Sequence, residues 1–566
     1  MIRHIVLVTL LGCVLCFPDV NTIQNAEESL VTTPLGKIKG TIIPSRLGKP
    51  IFAFRGIRYA KAPVNDLRFK PPVVADKWEG VYDATKDGPL CPQPTSDPVS
   101  EDCLNLNVYT TKLPSGSEKP KRPVIVFIHS GGFYSLGSAS YLIGPNYFLD
   151  QEIVLVTFNY RLGTLGFLST GDKEVPGNNG LKDQVEALKW VKNNIESFGG
   201  DPESITILGY NAGAMSVVLH MVSPMSQGLF HKAAAMSGSP LGAWPLPTNQ
   251  LDLAKKQAKF VGCPDDNAAN IIKCLRTKTY NELGESLPKF KEFGEDPAMI
   301  WSPVIEGDFG QTRFLTGHPI NLISNGQFRK IPFMTGQTSQ DFGQRAFAVI
   351  YNETLSKQMN AEFDKIAPIA FLYEKNTEQS KTISKTLKTF YLQDKPIDKT
   401  QIPGLSQLYS DAVVGFGVNR AAKLISQYSN QSVFYYRFSY QGRYSHFYNP
   451  ESNNTVPFGV VHHDDLIYLF YMQKLFPLFK DNSPQEIEMV TKLTALYYNF
   501  AKTGNPIPIA IEKLDNVKWE PFTMKEQKFM EIGNKLVMQE KMNEKRFNEW
   551  DKLFPISMYQ KNKHSH

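Results

Sequence analysis

Runs of apolar residues recur along this chain at the spacing of buried strands, and helix-period stretches separate them. Val124–Ile128 is wholly apolar and Ile153–Phe158 nearly so, as strands covered on both faces are. Gly180–Phe198 then places Leu181, Val185, Leu188 and Ile195 on one helical face, and Gly199–Pro202 is expected to stop that helix. Ile205–Leu208 predicts the next strand, and Ala214–Met221 predicts a buried helix. Such alternation argues for an α/β fold, a large and mostly parallel sheet with helices on both faces. Later apolar runs at Ile331–Thr335 and Ser432–Tyr440 can join the same sheet. Leu251–Leu287 and Ala346–Lys395 read as helical segments that cap it. Leu30–Pro72 is strand-like with turns at Gly36, Gly40 and Gly48, and Lys112–Arg122 is polar enough to form an exposed loop. No internal repeat or low-complexity linker divides the chain, so residues 21–566 are expected to form one domain although the length alone would allow more.

Met1 to about Val20 has the form of a secretory signal, with Arg3 and His4 before an apolar Ile5–Cys16 core too short to span a bilayer. No later run has the apolar length of a membrane helix, and Lys561–His566 carries neither an ER-retention tetrapeptide nor a lipid-anchor pattern. A secreted, extracellular protein without a membrane anchor is the expectation. The hydrophobic fraction of 42% and charged fraction of 20% fit a globular chain. The net charge of +6 is scattered over 566 residues, which argues against nucleic acid as a partner. Cys13 and Cys16 fall in the leader; Cys91, Cys103, Cys263 and Cys274 remain and allow three pairings, of which sequence neighbours are the simplest. A zinc site has little support, because no Cys-x-x-Cys or paired histidines accompany them, and no metal or cofactor is expected. Asn352, Asn430 and Asn453 begin Asn-x-Ser/Thr triplets and are candidate glycosylation sites.

The chemistry centres on one turn. Strand Ile205–Leu208 runs into Gly209-Tyr210-Asn211-Ala212-Gly213 and then into the apolar helix. That order matches the strand–turn–helix of a nucleophile elbow, written G-x-S-x-G. Its central position, where serine belongs, holds Asn211.

Several further blocks stand in order along the chain: Phe54–Ala60, Glu101–Asn107, His129–Phe133, Asn159–Arg161, Gly177–Asp183 and Phe198–Pro202. Together with the elbow they resemble the type-B carboxylesterases over roughly Leu30 to Pro555, in detail most like insect esterases. The resemblance implies an α/β-hydrolase fold. It implies disulfides Cys91–Cys103 and Cys263–Cys274, and structural ion pairs Arg68–Glu101 and Arg161–Asp183. The short Cys91–Cys103 loop has no tryptophan, unlike the choline-binding loop of cholinesterases, which argues against acetylcholine as substrate.

Ester hydrolysis of this kind needs a nucleophile, a base, an acid that orients the base, and backbone donors for the oxyanion. The resemblance carries the donor role to the N–H groups of Gly131, Gly132 and Ala212, with Ser130 in place of a family glycine. It carries the base to His462 rather than His463, and the acid to Asp341, where the family usually has glutamate. His463 is expected to be a bystander, and Asp464 and Asp465 to satisfy nearby backbone donors. The nucleophile is missing, because an amide nitrogen has its lone pair delocalised into the carbonyl. Tyr210 is a second departure, since the family usually has glutamate there. Asn211 is a sensible occupant of a turn that demands positive φ, and its carboxamide is expected to hydrogen-bond His462. Ser216 lies inside the helix and is read as structural. Three functions follow: a carboxylic ester hydrolase body that binds or sequesters an ester-like or hydrophobic small molecule without normal turnover; an unusual, residually active carboxylic ester hydrolase; or a module that binds an extracellular protein partner.

Overall fold

The structure is a computed structural model that describes residues 29–480 and 483–560. The expected leader, Met1–Val20, and the C-terminal Lys561–His566 lie outside the described residues.

Seven parallel strands form the middle of an eleven-stranded sheet. In spatial order they are Lys528–Ile532, Val433–Phe438, Phe333–Thr338, Lys232–Met236, Gly200–Tyr210, Arg122–Ile128 and Val154–Phe158. Antiparallel strands extend both sides: Leu536–Glu540 beyond the first, and Asn105–Thr110, Pro50–Arg58 and Thr41–Pro44 beyond the last. A separate three-stranded sheet joins Leu30–Thr33, Gly36–Lys39 and Val81–Asp83. The α/β-hydrolase expectation thus holds as a large mixed sheet with a parallel centre.

Period-two alternation of wholly apolar strands puts a core on each side. Val124, Val126 and Ile128 face one buried cluster, and Ile125 and Phe127 face the other. Helices Ala212–Val222 and Phe416–Tyr428 cover the first face. Helix Pro484–Thr503 covers the second.

Local boundaries depart from the sequence pattern where pairing overrides composition. Gly199 stops the helix as expected, with φ +82°, but the strand that ends at Tyr210 begins at once at Gly200, which pairs with Arg122 across an irregular register, and not at Ile205. The expected helix over Gly180–Phe198 is α-helical over Asn179–Asn194 and tightens to a 3₁₀ turn over Ile195–Phe198. Leu251–Leu287 breaks into Leu251–Phe260, Ala268–Leu275 and Tyr280–Gly284, and the Cys263–Cys274 disulfide ties the turn after the first to the second. Strand Lys232–Met236 escapes the pattern altogether: three successive alanines lack the branched side chains that mark strands.

The cysteines pair as the resemblance implies, Cys91–Cys103 and Cys263–Cys274. Both implied ion pairs are present. Arg68 meets Glu101 at 2.6 and 2.5 Å. Asp183 accepts from the Arg161 guanidinium at 2.7 and 2.6 Å and from its backbone N–H at 3.1 Å. Asn352, Asn430 and Asn453 are all exposed. Among the described residues no helix is long and apolar enough to cross a membrane.

Candidate functional site

Two neighbouring parallel strands deliver the parts. The chain leaves Arg122–Ile128 for Val154–Phe158 on one side, then returns to place Gly200–Tyr210 on the other. The loops after Ile128 and Tyr210 therefore part at a switch in strand order, which is where α/β sheets open a crevice. One loop carries His129–Phe133 and the other begins with Asn211.

The strand–turn–helix forms with Asn211 at its tip. Asn211 has φ +53° and ψ −113°, outside the allowed left-handed well. Tertiary structure holds it there: its N–H donates to the Met236 carbonyl at 2.9 Å, and its carbonyl accepts from Met215 N–H at 2.9 Å. The flanking glycines allow the close approach. A Cβ on Gly209 would lie 2.2 Å from the Gly213 oxygen, and one on Gly213 would lie 2.0 Å from the Ile128 oxygen. Ser216 is structural, as expected. Its hydroxyl donates to the Ala212 carbonyl at 2.9 Å and accepts from Gln184 at 3.1 Å.

The residues expected as acid and base meet. Asp341 follows the strand Phe333–Thr338, and its Oδ1 lies 2.7 Å from His462 Nδ1. Its Oδ2 accepts from Ser237 Oγ at 2.9 Å and from Thr338 N–H at 2.8 Å. Sequence reasoning missed Ser237, because it extends the alanine-rich strand that the pattern did not reveal. Burial raises Asp341 to about 7, against the lowering effect of those donors. Burial first, then the His446 and Arg345 charges, hold His462 well below its usual range, so its imidazole is neutral. Phe342 packs on that ring at 4.2 Å between centroids.

The expected bond from Asn211 to His462 is not made. Asn211 Oδ1 instead accepts from Gly132 N–H at 3.1 Å. His462 Nε2 is buried and has no hydrogen-bond partner among the described residues. The reason is chemical. A backbone N–H needs an acceptor, so the carboxamide turns its oxygen to the glycine loop. Of the three expected donors, Gly132 is the one seen donating; Gly131, with φ +112°, lines the same cavity, and Ala212 opens the helix.

His463 is no bystander. Its Nε2 lies 2.9 Å from Ser130 Oγ, and its backbone N–H donates to the Tyr210 hydroxyl at 2.7 Å. The Tyr210 ring packs against both His462 and His463, with centroids 4.9 Å away in each case. Tyr210 and Ser130, two of the departures from the resembled pattern, thus share His463 as a partner. Asp464 behaves as expected and accepts from His446 N–H at 2.8 Å and Val461 N–H at 2.9 Å. Asp465 does not: it makes no well-formed backbone bond among the described residues, and burial followed by the Asp341 charge pushes it well above the carboxylate range, against the lowering effect of the nearby Tyr210 hydroxyl.

A cavity of about 310 Å³ opens over these groups. Gly131, Gly132, Asn211, His462 and His463 line it together with the polar Gln344 and Arg345, while Met215, Met299, Phe342, Leu372 and Val413 add apolar surface. Its size falls at the small end of the range for small-molecule sites.

A profile of the Carboxylesterase family matches residues 27–550. The chain belongs to the carboxylesterase family. Among the relatives of this carboxylesterase-family chain is the juvenile hormone esterase of Tribolium castaneum, 37% identical over 533 residues, 90% of this chain and 89% of that one. Esterase FE4 of Myzus persicae is 35% identical over 550 residues, 93% of this chain and 94% of its own. The crystal structure of juvenile hormone esterase from Manduca sexta, with OTFP covalently attached, superposes with a TM-score of 0.81 at 28% identity, covering 93% of this chain and 99% of that one. Family membership accounts for the hydrolase body and the disulfides. What the carboxylesterase scaffold does with asparagine at its elbow is a question for the site itself.

Proposed function

We propose that this chain is a secreted carboxylesterase-family protein that binds ester-like or other hydrophobic small molecules in its cavity without normal esterase turnover. The observation that carries this reading is Asn211 at the elbow. Among the described residues no hydroxyl partners His462 Nε2, and the Asn211 carboxamide oxygen sits on Gly132 N–H. An ester bound here would meet a base with no serine to activate. In subtilisin, removing the nucleophilic serine lowers turnover by about a millionfold. Apolar walls around a few polar groups suit a mostly hydrophobic ligand. The leader-like N-terminus, the two disulfides and the exposed sequons support an extracellular setting.

The test compares wild type with Asn211→Ser on naphthyl and nitrophenyl esters and on covalent labelling by an organophosphate. Wild type is expected to take no label and to show negligible turnover while binding apolar esters. The serine variant is expected to gain both labelling and turnover. Stoichiometric labelling of wild type, or ordinary turnover from it, overturns the reading in favour of an unusual but active hydrolase.

A further inference from the structure

A second cavity, of about 470 Å³, lies beside the loop that leads into Asp341, where Ser339 and Gln340 line it. Its volume falls within the range of small-molecule sites. None of the residues that line it lines the cavity over Asn211. Three elements far apart in sequence turn polar groups to it, each at the spacing of one face. In helix Ile402–Ser410, Pro403, Gln407 and Ser410 recur at intervals of four and three, with Ser406 beside them. Arg437 and Ser439 alternate through the end of strand Val433–Phe438. Asn543 and Arg546 stand three apart at the start of helix Glu544–Leu553. Pro403 and Gln407 are exposed whereas Ser410 is only 3% exposed, so the helix face runs from the surface into the protein.

These groups are short of partners. The Ser410 and Ser439 hydroxyls and the Gln407 and Asn543 carboxamides make no hydrogen bond among the described residues. A buried hydroxyl finds a partner in protein, water or ligand, because leaving it unbonded costs its desolvation. The charges, by contrast, are already matched. Arg437 Nε and Nη2 meet Glu531 at 2.8 and 2.7 Å, and Arg546 Nε and Nη2 meet Asp411 at 2.7 and 3.1 Å. The cavity therefore offers donors and acceptors without a spare positive charge, which disfavours phosphate or sulfate. A half-buried Phe458 adds an aromatic ring to its wall.

We infer that this cavity is a carbohydrate site, which takes a neutral sugar ring with its hydroxyls on Ser410, Ser439, Gln407 and Asn543 and its C–H face on Phe458. A sugar hydroxyl both donates and accepts, as serine hydroxyls and carboxamides do, so one ring satisfies groups on all three elements at once. The apolar side of the ring needs a surface that is not hydrogen-bonding, and an aromatic side chain is one. The same ring arrives either free or as the terminal unit of a glycan, and the test separates the two.

The inference is independent of what the cavity over Asn211 binds. Its test is saturation-transfer NMR on the intact protein with glucose, galactose, mannose and N-acetylglucosamine as probes and inorganic phosphate as competitor. Ring protons of at least one of these sugars are expected to take up saturation, and phosphate is expected not to displace it. That sugar is then offered as the terminal unit of an immobilised glycan. Capture there supports a glycan as the source, and its absence supports the free sugar. Gln407→Ala removes an exposed side chain, and Asn543→Gly removes a carboxamide while keeping a residue that tolerates the φ of +47°. Each is expected to weaken binding about three- to tenfold, the loss of one neutral hydrogen bond, with little change in unfolding temperature. No saturation of any of the four sugars overturns the proposal. So does displacement by phosphate, which marks an anion site, or unchanged affinity in both variants, which puts the sugar elsewhere. Because the first two readouts use wild type alone, the test stands even where a variant does not fold.

Discussion

The carboxamide oxygen of Asn211 stands 3.1 Å from the backbone nitrogen of Gly132, in the place where an ester oxygen would seek its donor. A carbonyl ligand must displace that internal acceptor before it can use the same N–H. Asn211→Ala removes the competitor. Ketone analogues of apolar esters are expected to bind the alanine variant about tenfold more tightly than wild type, the worth of one hydrogen bond of roughly 1.4 kcal/mol. Matched hydrocarbons without the carbonyl should show no change. Calorimetric titration decides it; equal gains for both ligands would mean that only space had been created.

Ser130, Tyr210 and His463 form one clamp. Tyr210→Phe strips the acceptor from the His463 backbone N–H, and Ser130→Ala strips the partner from its Nε2. Each buried loss is expected to cost about 1–2 kcal/mol in urea denaturation. The two share His463, so the double variant should cost less or more than their sum by about 0.5 kcal/mol or more. Strict additivity would show that the two contacts are independent.

The elbow glycines are steric requirements. A Cβ on Gly213 would fall 2.0 Å from the Ile128 oxygen and 2.9 Å from the His129 oxygen, both backbone atoms that cannot swing away. Gly213→Ala is expected to destabilise by about 3 kcal/mol or to prevent secretion. Gly242→Ala is the control, because the nearest atom to its new Cβ is 3.8 Å away, and its stability should stay within about 1 kcal/mol. Equal stability of the two variants would contradict the packing described.

Acid–base behaviour follows from the Asp341–His462 pair. General-base action needs Asp341 ionised and His462 neutral. His462 is lowered by burial and stays neutral, whereas Asp341 is raised by burial to about 7. The competent form therefore grows as pH rises through about 7 and is lost below it. In Asn211→Ser, kcat/KM should rise through that value and level off on the alkaline side. Ser237 Oγ donates to Asp341 and lowers it, so Ser237→Ala added to that variant should move the midpoint to higher pH. A midpoint that stays put would remove Ser237 from the account of this pair.

Much of this is legible along the chain. Two-faced apolar runs such as Val124–Ile128 declare a buried parallel sheet, since only a strand covered on both sides lacks polar positions. Glycines around position 211 declare the sharp turn, and the resemblance of the Asp341 and His462 blocks is what points to an expected acid and base. That serine is absent is a fact of sequence alone. Tertiary structure decided where those groups point. Lys232–Met236 became a strand because its neighbours on both sides pair with it, although its composition says little, and so Ser237 came to hold Asp341. His463 became part of the site because loops distant in sequence brought Ser130 and Tyr210 to it. The Asn211 carboxamide turned to Gly132 instead of His462, a choice between two neighbours that no residue pattern encodes. Periodicity and turn chemistry are local properties written along the chain, whereas the partner of a buried polar atom is settled by whichever donor the folded neighbourhood brings within reach.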